Sequence, residues 1–238
     1  MQRFFAVVHD GKAVIDGEDY IHLTRSLRVK TGDRVALTDG VFCYDAVITS
    51  IDSEKAVLSA VRAEAEGIEP RRKITIIQGF PKGDKSEFIT QKCTELGIFG
   101  IRFFMSDRSV VKLDEKQRKA KAERLSRVAA SASEQSGRLV TPEVSIFPSL
   151  ASALEGVSDG FLLYEKEREK GLKEAVGAFS GDFAFIIGAE GGISEKEAAL
   201  CEEKGVFSVT LGRRILRTET AAVAVTAAVM CLLGELGP

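Results

Sequence analysis

Five short apolar runs dictate the architecture of the larger part of this chain: ITIIQG at 74–79, IRFFMS at 101–106, GFLLYE at 160–165, FAFIIGAE at 183–190 and FSVTLG at 207–212. Each is too uniformly apolar to leave one face in water, so each reads as a strand buried on both sides. Helical patterns stand between them, at DKSEFITQKCTELGI, at Glu115 to Gln135, at about 170–178 and at 194–203. Strands alternating with helices predict a parallel sheet covered on both faces, an α/β domain. In such sheets ligands bind beyond the carboxyl ends of the strands. The residues after GFLLYE, FAFIIG and FSVTLG are therefore the first place to look for a site.

The first seventy residues have another rhythm. RFFAVV, VALTDGVFCYDAVITSI and KAVLSAVR are strand-like, with turns at Asp10-Gly11 and Asp39-Gly40. DYIHLTRSLRV between them suits one short helix. A small, mostly antiparallel, barrel-like domain is expected over residues 1–70, an α/β domain over 71–238, and a linker at GIEPRRK, 67–73.

Charge is uneven along the chain. Residues 71–138 carry 16 Lys/Arg against 8 Asp/Glu, a net of +8, while the whole chain is at −2. Such a segment is either a solvated helix face or a local field that attracts phosphates. Cys43, Cys93, Cys201 and Cys231 are scattered without a CxxC pair, so no metal site and no disulfide framework is expected. MQRFFAVVHDGKAV turns polar too soon for a signal peptide, and the alanine-rich C-terminal run, broken by Glu235, reads as a core helix and not a membrane span. A cytoplasmic protein is expected.

GAEGGISEKEAAL follows the FAFIIG strand. Gly188, Gly191 and Gly192 bracket Glu190 more densely than a plain strand-to-helix turn needs, and Ser194 with Glu197 forms a capping-box signature. It is neither a P-loop nor a dinucleotide fingerprint. RRILRTETAA follows FSVTLG. Glu219 in a first helical turn is favoured by the helix dipole, with Thr218 in position to cap. Arg217 has no such excuse, and its planar donors suit a carboxylate or a phosphate. In ASASEQSGR, packing accounts for the small residues but not for Glu134, Gln135 and Arg138 together. Asp84 can cap the helix that ends at Gly97; His22, Phe80 and Phe88 read as structural.

Taken in order, SEFITQKCTELG, DRSVVKL, ASEQSGR, IGAEGGISEKE and LGRRILRTETA resemble the bacterial 16S rRNA uridine N3-methyltransferases, of the knotted SPOUT superfamily. HLTRSLRVKTGD and the following TDG resemble that family's PUA-like first domain. The resemblance covers nearly the whole chain. It implies a parallel sheet with a C-terminal trefoil knot, a homodimer, and methylation of N3 of one uridine in 16S rRNA, within the assembled small ribosomal subunit.

It further implies S-adenosylmethionine bound by Leu163, Gly188, Ala189, Glu190, Gly191, Gly192, Leu211, Gly212, Ile215, Leu216, Arg217 and Ala221. The motif departs at Ala189, where the family has proline, so a looser turn is expected. Methylating uracil N3 requires removal of its proton. Arg217 is the candidate to stabilise the resulting anion, Glu219 to orient Arg217, and the sequence leaves the proton acceptor open. Arg25, Arg28, Lys30, Arg108, Lys112, Arg124, Arg127 and Arg138 are candidates for RNA phosphates. Two other readings stay open: a knotted methyltransferase acting on another RNA such as tRNA, and a non-catalytic RNA-binding protein of the same fold.

Overall fold

A computed structural model describes residues 3–63 and 68–237. The chain separates into two compact units, Met1–Glu69 with Ser133–Thr141, and Pro70–Ala132 with Pro142–Pro238. A boundary drawn along the chain at residue 70 places 133–141 in the second domain; these residues group instead with the first. Gly67, which opens the expected linker, lies outside the described residues.

In the first unit, β1 (Arg3–Phe5), β2 (Lys12–Asp16), β3 (Arg34–Thr38), β4 (Cys43–Ile51) and β5 (Lys55–Ala63) form one curled sheet in the order β1-β3-β4-β5-β2. All pairings are antiparallel except β1 with β3. Along β5, Ala56, Leu58 and Ala60 point inward and alternate with outward-facing neighbours, the period of a half-buried strand. They pack with Phe4, Leu23, Leu37 and Ile48. Both Asp-Gly turns are present. Asp39 accepts hydrogen bonds from the Val41 and Phe42 backbone N–H groups, and Gly40 takes the left-handed conformation. The single expected helix divides into α1 (Gly17–Ile21) and a π-helical turn, His22–Ser26. His22 stands with its ring 6.1 Å from that of Phe4.

Arg138 departs from expectation. Expected at RNA phosphates, it is 4 % exposed and ion-paired with Glu69 at 2.7 Å. The same carboxylate accepts from the Leu139 and Val140 backbone N–H groups. A buried guanidinium cannot leave its carboxylate to meet solvent-side phosphates without a large desolvation cost. Glu69 thus holds the returning segment 138–140 in the first unit. Replacing Glu69 with alanine removes the 2.7 Å ion pair and the acceptor of the Leu139 and Val140 N–H groups, and urea unfolding is expected to show a loss of about 3 kcal/mol. A loss of only a few tenths, the worth of an exposed pair, contradicts this role.

The second unit is built on a sheet of β6 (Ile74–Gly79), β7 (Gly100–Phe104), β8 (Glu143–Phe147), β9 (Gly160–Leu163), β10 (Phe183–Ile187) and β11 (Phe207–Val209), in the order β11-β9-β10-β6-β7-β8 among the described residues. Every pairing is parallel. The helices are α2 (Lys85–Glu95), α3 (Glu115–Ser136), α4 (Leu150–Ala153), α5 (Leu172–Gly177), α6 (Glu195–Glu203) and α7 (Thr218–Leu232). The last residues of α3 group with the first unit. Asp84 occupies the position before α2, yet its side chain makes no capping bond. Ser194 and Glu197 complete the expected capping box of α6.

On α7, Ala221 and Ala222, Val225 and Thr226, then Val229 and Met230 are buried, a stripe at helical spacing. The small residues let it lie close on α2, where the Cys93 thiol meets the Thr226 hydroxyl at 3.4 Å. Burial pushes that thiol's pKa up to about 12, so it stays inert. Phe80 is buried against Phe103, as expected of a core residue. Phe88 is not: it is 45 % exposed on α2. The helix meets the core through Ile89 and Cys93, which leaves position 88 on the outer side. Among the described residues, no helix is long and apolar enough to cross a membrane.

Candidate functional site

The carboxyl ends of β9, β10 and β11 open onto a cavity of about 970 Å³. Three loops and one helix start surround it: residues 163–168 after β9, 187–193 after β10, 209–217 after β11, and Thr218 with Ala221 on α7. The placement follows from the topology, because a parallel sheet sends all its carboxyl-end loops to one side.

Close backbone packing shapes the loop after β10. Ala189 to Gly192 form a tight turn in which the Gly192 N–H donates to the Ala189 carbonyl at 2.9 Å. Gly79, at the end of β6, lies so near that a Cβ there would stand 2.3 Å from the Ala189 nitrogen. A Cβ on Gly188 would lie 2.7 Å from the Gly192 backbone. The glycines are thus required by close approach, and Ala189 itself is buried in the turn.

Gln78 and Thr218 fasten this loop to α7. The Gln78 amide nitrogen is within hydrogen-bonding distance of the Gly188 carbonyl at 3.1 Å and of the Thr218 hydroxyl at 2.8 Å. Thr218 donates to the same carbonyl at 2.7 Å. Thr218 is therefore not the cap expected from the sequence. It is the first helical residue, Arg217 occupies the N-cap position, and the Thr218 hydroxyl is spent on the loop. Two segments 30 residues apart in sequence are held together at the cavity wall.

Lys85 was not anticipated. From the start of α2 its ammonium reaches Glu190 at 3.0 Å and Glu219 at 3.1 Å. These two carboxylates raise the Lys85 pKa above its ordinary value. Burial works against the charge on Glu190 and Glu219, but backbone N–H donors and the Lys85 ammonium outweigh it and hold both below the usual carboxylate range. The depressed carboxylates stabilise the fold above their ordinary 4.5, and this contribution is lost as pH falls through their lowered values. Lys85 contributes below its ordinary 10.5 and is lost as pH rises through its raised value. The melting-temperature gap between wild type and Lys85→Met is therefore expected to be widest between those limits and to narrow beyond each. A gap indifferent to pH contradicts the network.

Leu163, Gly188, Ala189, Glu190, Gly192, Leu211, Gly212, Leu216, Arg217 and Ala221 all line the cavity. Gly191 does not; it lies against Arg108, where a Cβ would stand 2.7 Å from the carbonyl oxygen. Ile215 also lines the cavity, although it is 92 % exposed. Glu219 is outside the lining, and its ion-pair partner is Lys85, not Arg217. The Arg217 side chain is exposed and has no ion pair among the described residues. Tyr164, Glu165 and Arg168 also line the cavity, in the segment after Leu163 expected to form a cofactor loop, although none was singled out; Thr210, at the end of β11, lines it too.

The remaining basic candidates are dispersed. Arg25, Arg28 and Lys30 are exposed in the first unit. In the second, Arg108 donates to the Gly191 carbonyl at 3.4 Å, Lys112 to the Ser106 carbonyl at 3.4 Å, Arg124 pairs with Glu87 at 2.9 Å, and Arg127 is exposed.

A parallel α/β sheet with a glycine-walled cavity at its carboxyl ends is the arrangement of a small-molecule-binding α/β protein. The RNA methyltransferase domain family matches residues 68–230, and the RNA methyltransferase PUA domain family matches 15–61. Ribosomal RNA small subunit methyltransferase E of Bacillus subtilis is 34 % identical over 218 residues, covering 87 % of this chain and 85 % of its own. That of Helicobacter pylori strain J99 is 31 % identical, covering 88 % and 90 %. The crystal structure of the Neisseria gonorrhoeae enzyme of that name, bound to S-adenosyl methionine, superposes with a TM-score of 0.84 at 31 % identity over 98 % of each chain. A Legionella pneumophila structure in complex with bound SAM gives 0.86 at 26 % identity over 96 % of each. The chain belongs to the ribosomal RNA small subunit methyltransferase E family.

Proposed function

We propose that this protein transfers a methyl group from S-adenosylmethionine to N3 of one uridine in the 16S rRNA of the small ribosomal subunit. The observation that carries the reading is the cavity itself, assembled from loops 163–168, 187–193 and 209–217. Its walls fit the cofactor. Leu163, Ile187, Val209, Leu211, Leu216 and Ala221 give apolar surface for an adenine ring, the glycines admit close approach to backbone groups, and Glu165 and Glu190 supply negative charge suited to a sulfonium. When bound, S-adenosylmethionine supplies an electrophilic methyl group.

The chain's own residues do the rest. A neutral uracil N3 carries a proton, and the lone pair is free to react only once that proton departs. Arg217, exposed at the N-cap position of α7, donates to the uracil carbonyl oxygens, where charge gathers as N3 ionises. Gln78 and Thr218 fix the start of α7, and with it the Arg217 backbone, against the cofactor loop. The Lys85 ammonium offsets part of the negative charge of Glu190 and Glu219, which weakens their repulsion of the uracil anion.

A C-terminal trefoil knot belongs to the same reading. β11 lies at the sheet edge beside β9, yet α7 starts against the inner strands β6 and β10. Residues 210–217 cross between these places alongside loop 164–171, where the Thr210 N–H donates to the Lys170 carbonyl. That course supports a chain end threaded through the loop. The homodimer and a cytoplasmic location, where ribosomal subunits are met, complete the proposal. Exposed Phe88 supports an apolar contact with a second copy.

Calorimetric titration with S-adenosylmethionine, followed by transfer of labelled methyl to small subunits lacking rRNA modification, tests the reading. Binding and label in RNA are expected. Binding without label discards the substrate, and no binding discards the enzyme.

A further inference from the structure

The loop that closes the cavity carries an apolar side chain where packing gives no reason for one. Ile215 is 92 % exposed, more than any other large apolar residue among those described, and it stands between Arg214 and Leu216 in the cavity lining. Arg213, Arg214 and Arg217 on the same loop, and Arg168 on the loop after β9, are all exposed. None of the four side chains has an ion-pair partner among the described residues. Among the described residues nothing covers Ile215 or pairs these guanidinium groups, although burial of such an isoleucine is worth roughly 1.5–3 kcal/mol.

Unpaired guanidinium groups flanking an apolar tip match one kind of partner well. Guanidinium forks take phosphates, and apolar side chains slip between bases that have been parted. A base whose ring nitrogen must reach an enzyme cavity has to leave its stack, and the opened step then needs something to fill it. We propose that the Arg213–Ile215 tip is an RNA wedge. Arg213 and Arg214 grip phosphates beside the target nucleotide, and Ile215 packs against the neighbouring base, which holds the target turned out into the cavity. The inference rests on reading the cavity as a uridine methyltransferase site. A second copy of this chain is the weaker occupant, because a symmetric contact brings the arginines of both tips together and like charges repel.

The test uses the full chain and small subunits lacking the modification. Ile215→Ala is expected to lower kcat/KM on subunits on the order of tenfold, the size of a partial unstacking cost, a loss larger than any loss of S-adenosylmethionine affinity in the same variant. The deficit should vanish on a short unstructured RNA carrying the target uridine, since no stack has to be held open. The double variant Arg213→Gln, Arg214→Gln should flatten the dependence of log affinity on log salt by about 1.4, the loss of two single-strand phosphate contacts. Full activity of Ile215→Ala on subunits overturns the wedge and leaves the methyltransferase reading intact. So does sedimentation showing that Ile215→Ala splits a wild-type dimer, which makes the tip an interface between copies. Failure of wild type itself to label RNA discards the reading and the wedge together.

Discussion

Replacing Arg217 with alanine lowers turnover by about 10²- to 10³-fold, the usual effect of removing one preorganised donor to a developing anion, and leaves S-adenosylmethionine affinity nearly unchanged. The separation follows from position. Arg217 is exposed at the head of α7 with no ion pair among the described residues, so its side chain supports no part of the fold. Arg217 is one of the lining residues, but most of the cavity wall is made by other groups, the glycine turn and the apolar residues. Arg217→Lys keeps the charge but loses the planar pair of donors, and should recover only a fraction of the rate. Single-turnover rates and calorimetric titration measure the two quantities apart. Equal losses in rate and in cofactor affinity assign Arg217 to the cofactor instead.

Gly79→Ala is expected to be the most damaging single methyl group in the second unit. The new Cβ would lie 2.3 Å from the Ala189 nitrogen and 2.9 Å from the Gly188 carbonyl carbon, and both are backbone atoms with no rotamer to move aside. Either β6 or the cofactor turn must shift. The strain is about 1–3 kcal/mol, as in other overpacked cores, and the shift reaches the cofactor loop directly. A lower melting temperature and a weakened affinity for S-adenosylmethionine should appear together. Gly177→Ala, at the end of α5 where an added Cβ meets nothing within 4 Å, is the control and should change neither. Normal affinity in Gly79→Ala would mean that the turn adapts without cost.

Much of this was legible in the sequence because it is local. β6, β9 and β10 announce themselves as apolar runs, and the capping box of α6 is written in four consecutive residues. The two loops that dominate the cavity were found for the same reason, since each is one contiguous motif. β8 was missed because it is an edge strand, half exposed and polar in pattern, and β2, also at a sheet edge, because only three apolar residues stand between Lys12 and Asp16. Lys85 was missed because its meaning lies in partners 105 and 134 residues away. Arg138 was misread for a like reason: its carboxylate, Glu69, lies 69 residues earlier, and without that partner a terminal helix arginine looks solvated. The exposure of Ile215 was not legible either, because motif membership does not tell how far a side chain stands out into solvent.

The most direct measurement is the position of the methyl group. Small ribosomal subunits lacking rRNA modification are incubated with the enzyme and S-adenosylmethionine, the RNA is digested, and mass spectrometry with primer extension locates the product. The account predicts a single N3-methyluridine, absent when Arg217→Ala replaces wild type at equal concentration and time. A methyl group on another atom, on several nucleotides, or only on tRNA would contradict it.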